Sequence, residues 1–227
     1  MKKNETELEK ISHPTAKDFG VALAKIALAP ASELIDLVIT TPMSKRKDAF
    51  ISDLAVRVKN MESKATGFTI ESLKDNELFQ TIIINAIRAA IATHQQEKIQ
   101  ALKNAVLNAA LKPNINENVQ MMFINYIDRL TPLHLIILKF LQYPKEYCEK
   151  HKIEIKGTGS SVFSVLNMAI KDVEGHVIEQ IVKDLFTYGF INVDIQNYKM
   201  TVTIQAVLNS HTTPFGNQFL TYITEPE

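Results

Sequence analysis

Apolar residues recur at helical spacing through most of the chain, and the clearest instance is residues 131–144, TPLHLIILKFLQYP. Leu133, Ile136, Ile137, Phe140 and Leu141 fall on one helical face. Leu135 and Leu138 widen that face, which predicts a helix buried on most sides. Thr131 is a suitable N-cap, and Pro132 stands where the first helical turn tolerates proline. Pro144 is expected to end the helix.

The chain before this stretch reads as helices. Residues 1–14 are polar and are expected to be a flexible tail. Residues 15–40 form an Ala-rich helical pattern that includes Phe19, Leu23, Ile26, Leu34, Leu37 and Val38, kinked or split at Pro30. The sequence TPMSKRK at 41–47 reads as a turn with a small basic cluster, a solvated loop in preference to a phosphate site. Helical spacing resumes over 48–63 through Phe50, Ile51, Leu54, Val58 and Met61. Residues 75–111 lack Gly and Pro and carry two stripes, one from Leu78 to Ile91 and one from Ile99 to Ala110. The segment reads either as a single helix of ~55 Å or as two helices broken near 93–96, where the polar run THQQE interrupts the stripe. Residues 117–130 make a further helix with Phe123, Tyr126 and Ile127 inward.

Beyond Pro144 the texture changes. Residues 147–156 are polar, a linker or loop with a short strand at 153–155. GTGSS at 157–161 reads as a turn in which Ser160 or Ser161 caps a helix running to about 171. A second helix covers 175–188, with Gly189 in the C′ position. A strand at 190–193 and the alternation over 199–207 predict a small β-hairpin, and Thr213-Pro214 opens a last helix. The order of elements from 131 is that of a winged-helix unit. The fold class is therefore mainly α: an N-terminal helical domain at 15–130, and a C-terminal winged-helix-like α+β domain at 131–227 with a small hairpin.

Composition narrows the functions. The 227 residues are 46% hydrophobic, enough for a packed core, and the 25 basic and 25 acidic residues cancel. Residues 131–227 hold eight lysines, no arginine and ten acidic residues, a formal charge of −2. DNA affinity draws on phosphate neutralisation, and its commonest base contact is Arg to guanine. Direct DNA binding by this unit is disfavoured on both counts. No secretory leader pattern opens the chain, and no run is long and apolar enough to span a bilayer. Together with a single cysteine, this suggests a cytoplasmic protein.

Few residues invite chemistry. Cys148 and His151 have the spacing of half a zinc site, but a structural site needs four ligands and no second cysteine exists. Cys148 as a nucleophile would need a base and an oxyanion site, and an inert thiol is the simpler reading. His94 with Glu97 lies in a polar run and reads as solvated or as a surface hydrogen-bond donor; His134 flanks the apolar stripe and reads as a packing residue that tips out of it or bonds a neighbour. GTGSS lacks the downstream Lys of a phosphate loop. We expect no enzyme activity and no catalytic, cofactor or metal site.

The segments EKIQALKNAVLNAAL and NVQMMFINYIDRLTPLHLIILKFLQYP, with HTTPFGNQFLTYI near 211–223, resemble a group of uncharacterised bacterial proteins over roughly 70–227. Distantly similar helical proteins with an Ala-rich N-terminal segment are filed as abortive-infection (alpha-type) phage-defence proteins. His134 stands at the place of a recurring Trp-His pair, with Leu133 in place of the aromatic residue. The resemblance rests on packing residues and transfers no functional one. It implies a non-enzymatic interaction or regulatory protein in phage defence, acting through a protein partner or self-association. The alternatives are a nucleic-acid-binding winged-helix regulator and a membrane-active effector using residues 15–40.

Overall fold

The computed structural model describes residues 41–63, 69–111 and 115–226. The expectations for a tail at 1–14 and a helical pattern at 15–40 lie outside the described residues. The chain divides into two compact units, Met1–Asp48 and Ala49–Glu227. Of the first unit the described part is 41–48, the beginning of helix α1 (Thr41–Glu62). The basic cluster at 41–47 is thus helical, not a turn. Pro42 sits in the first turn, and Met, Lys and Arg are good helix formers.

Among the described residues the protein is mainly helical, with eleven α-helices, one 3-10 helix (Ile70–Leu73) and one two-stranded antiparallel sheet. In the second unit, α2 (Glu77–Ala92) begins at Asn76, whose side chain accepts from the Phe79 amide at 2.9 Å. A break follows at 93–95, and α3 runs Gln96–Leu111. Helices α2, α3 and α4 (Glu117–Arg129) pack on one another. Ala86, Ala89 and Ala90 of α2, and Ala101, Ala105 and Ala109 of α3, are buried. Side chains this small let helix axes approach closely, while Ile82, Leu102, Val106 and Phe123 fill the layers between.

Helix α5 (Pro132–Gln142) has Pro132 at N1, as the sequence predicts. Pro144 does end it, but by opening another helix, α6 (Pro144–Lys150), where a polar linker was expected. The missing N–H of proline costs nothing in a first turn, and α6 buries Cys148. Residues 153–155 form no strand.

Strand β1 (Gly159–Ser160) precedes α7 (Val162–Ala169), which Ser161 caps by accepting from the Ser164 amide at 3.1 Å. Helix α8 (Gly175–Thr187) follows, with Gly189 at φ +75° just past its end. The expected hairpin between 190–193 and 199–207 is not formed. Instead α9 (Ile195–Tyr198) intervenes, and β2 (Val202–Thr203) pairs antiparallel with β1, Gly159 opposite Thr203. The alternation over 199–207 yields two strand residues before α10 (Ile204–Leu208), because Thr203 caps that helix through the Ala206 amide. Ile191 makes its one bridge to Thr212.

The last helix, α11 (Pro214–Ile223), packs on α3, so contacts run across position 130/131. Phe123 of α4 lies 5.2–5.3 Å, centroid to centroid, from Phe215, Phe219 and Tyr222. Phe190 stacks on Phe219 at 4.7 Å. Two buried asparagines one turn apart on α3 close the far end. Asn104 Nδ2 donates to the Ile223 carbonyl at 2.9 Å, and Asn108 Nδ2 lies 3.0 and 2.7 Å from the Tyr222 and Thr224 carbonyls. A helix leaves its last carbonyls without partners in its own backbone. Here a side chain from a neighbouring helix supplies them.

Candidate functional site

Helix α8 and its surroundings hold the most specific polar geometry among the residues singled out from sequence. The helix is amphipathic: Ile178, Ile181, Val182 and Leu185 are buried. Its outward stripe is His176, Gln180, Lys183 and Thr187, spaced three or four apart. The three carboxylates flanking the stripe are engaged, and Glu174 at the N-cap lies 3.2 Å from His176 Nδ1. Glu179 pairs with Lys199 at 2.7 Å, and Asp184 lies 3.4 Å from His134 Nε2. Lys183 is left as the one cation on the stripe.

His134 is buried within the first turn of α5. Its Nδ1 accepts from the Thr131 backbone N–H at 3.2 Å and sits 2.8 Å from Thr131 Oγ1. Asp184 Oδ1, in turn, accepts from Gln180 Nε2 at 2.7 Å. Burial pushes the His134 imidazole below its usual pKa, against the opposing pull of Asp184. Buried and bonded to Thr131 and Asp184, His134 bonds its neighbours and does not tip out of the apolar stripe. Its partner fifty residues downstream has no signal in the sequence, since two faces of one fold must meet to make it.

The other candidates are dispersed. Cys148 is buried, and burial, aided by Glu149, raises its thiol pKa, so the nucleophilic thiolate is disfavoured. His151 is exposed and stacks on Tyr147 at 4.2 Å. Among the described residues no group of three or more His, Cys, Asp or Glu side chains is placed to hold a metal ion. His94 is exposed in the break between α2 and α3, and Glu97 is exposed in the first turn of α3. GTGSS forms a glycine turn at Gly157 (φ +93°), strand β1 and the cap of α7.

Two clefts lie beside these elements. One, of about 400 Å³, separates α3 from α5, with Glu97, Gln100 and Asn104 on one wall and Leu135, Ile136 and Lys139 on the other. Its amides are held in a relay: Arg57 donates to Gln100 Oε1 at 3.1 Å, and Gln100 donates to Asn104 Oδ1 at 2.8 Å. The second, of about 470 Å³, is walled by Cys148, Ile153, Ile155, Ile204 and Leu208. Among the described residues no histidine lines either cleft.

No family model, curated protein or solved structure matches this chain. Among the described residues no helix is long and apolar enough to cross a membrane.

Proposed function

We propose that residues 131–227 form a winged-helix-like unit that contacts a protein, in a chain that acts as a non-enzymatic regulator. The order α5, α6, β1, α7, α8, α9, β2, with β1 pairing to β2 across helices α7, α8 and α9, supports the winged-helix reading. In that reading α8 is the third helix, whose outer stripe would enter a DNA groove. The observation that carries the proposal is the character of this stripe: one lysine, two neutral polar residues and a histidine, flanked by three engaged carboxylates. A groove reader needs several cations on such a face. A nearly neutral face that also exposes Val177 and Phe186 suits a protein partner. The sequence resemblance directs the search for that partner to phage defence.

Affinity capture with the full chain tests this, run beside a chain carrying Gln180→Ala and Lys183→Glu. The proposal expects a specific protein that the wild-type chain retains and the stripe variant loses. A sharp monomer that captures nothing overturns it. So does salt-sensitive retention on duplex DNA that the same substitutions abolish.

A further inference from the structure

We infer that His134 is a two-position toggle: on protonation it releases the cap of α5 and tightens on Asp184, disturbing Gln180 on the outer stripe of α8. The geometry contains both positions. A neutral imidazole has one donor nitrogen and one acceptor nitrogen. Nδ1 accepts the Thr131 backbone N–H, so it is the unprotonated nitrogen, and Nε2–H points at Asp184. The cap bond is 3.2 Å, whereas the Asp184 contact is long, at 3.4 Å.

A proton added to Nδ1 faces the Thr131 N–H, and that hydrogen bond cannot survive two opposed donors. The Thr131 hydroxyl, 2.8 Å away, can rotate and accept the new N–H. Nε2 then becomes a charge-assisted donor, and such bonds to carboxylates shorten to about 2.7–2.9 Å. Asp184 also holds Gln180 through its other oxygen. Any movement of that carboxylate toward His134 therefore reaches a residue of the exposed stripe.

Two charged groups act on the imidazole from the helices packed around it. Asp184 of α8 favours the proton, and Lys98 of α3, its ammonium donating to the Asp128 carbonyl at 2.6 Å, opposes it. Helix α11 brings no charged side chain, and the charged residues of α6 follow the opposite end of α5. Burial places the exchange on the acid side of pH 6.5.

That the toggle regulates recognition rests on the stripe being a contact surface; the toggle itself does not. A residue-resolved NMR titration of the full chain from pH 7.5 downward tests it without any partner. The expected result is a His134 midpoint below 6.5, with the Thr131 backbone amide and the Gln180 side-chain amide shifting at that same midpoint. In Asp184→Asn, the His134 midpoint moves lower, Thr131 still follows it, and Gln180 no longer does. Thr131 and Gln180 resonances that stay flat while His134 titrates would overturn the inference. So would a His134 that takes up no proton before the chain unfolds. If the toggle titrates and the stripe variants still capture every partner, the proposed contact surface is wrong and the toggle stands.

Discussion

Gly216 lies directly against the backbone of Phe190: a Cβ built on it would overlap the Phe190 carbonyl oxygen and stand 2.9 Å from the carbonyl carbon. The contact is fixed from both sides. Thr213 N–H donates to the Phe190 carbonyl at 3.0 Å, and Thr213 Oγ1 accepts the Gly216 amide at 3.0 Å as the cap of α11. Glycine is needed at 216 for the room it leaves, since no left-handed backbone is involved.

Gly216→Ala is therefore expected to destabilise strongly, on the order of 3 kcal/mol, because backbone cannot yield as a side chain can. Urea unfolding followed by circular dichroism measures it. A loss within about 0.5 kcal/mol, the range of ordinary surface substitutions, would show that α11 moves aside freely.

Asn108 has a comparable role at the other end of α11. Asn108→Ala leaves carbonyls of a helix terminus without their donor in a buried place, at a cost of about 2–3 kcal/mol. Asn108→Asp should be worse, since it sets an acceptor against acceptors. Amide hydrogen exchange distinguishes the mechanism: protection should fall first in α11 and in the facing turn of α3.

Stability should decline in mild acid. Burial lowers the pKa of both His134 and His211 below the ordinary 6.5, so the folded chain favours the neutral form of each. The unfolded chain takes up these protons first, and the stabilisation, complete above about pH 6.5, is lost as pH falls through the depressed values. Urea midpoints at pH 7.5 and pH 5.5 should differ in that direction. His211→Gln should narrow the difference, leaving the His134 part. A further loss should come as pH falls below the ordinary carboxylate value of 3.8, since Asp53, held ionised chiefly by the Lys103 ammonium at 2.7 Å, takes up its proton only below it.

Cys148 should react with Ellman's reagent slowly in the native chain and fully once denatured. Cys148→Ala is expected to cost about 1 kcal/mol through lost packing, with no other effect. A native thiol that reacts as fast as a free one would contradict its burial.

Local signals were the ones legible in sequence. Thr131-Pro132 opens α5, and the THQQE run breaks α2 from α3, because caps and interrupted stripes act over a few residues. Pro144 was legible as a boundary but gave no sign of α6 behind it, since proline ends one helix and starts another equally well. The sheet was misassigned because both its strands are two residues long, and β2's partner lies before α7, where glycines and serines read as a turn. Asn104 and Asn108 sit one turn apart within an Ala-rich stripe, and that spacing was the available signal for a buried polar pair. The His134–Asp184 contact had none.

The grip of α3 on α11 also bears on the order in which the chain can fold. Asn108 and Tyr222 are 114 positions apart, and until residues 214–223 are synthesised the buried face of α3 lacks the helix that covers it. A nascent chain on the ribosome therefore carries that face open through the making of α4 to α10, which exposes it to wrong partners and to chaperones. Closure by α11 is a late, long-range step, and loop-closure entropy makes such steps slow.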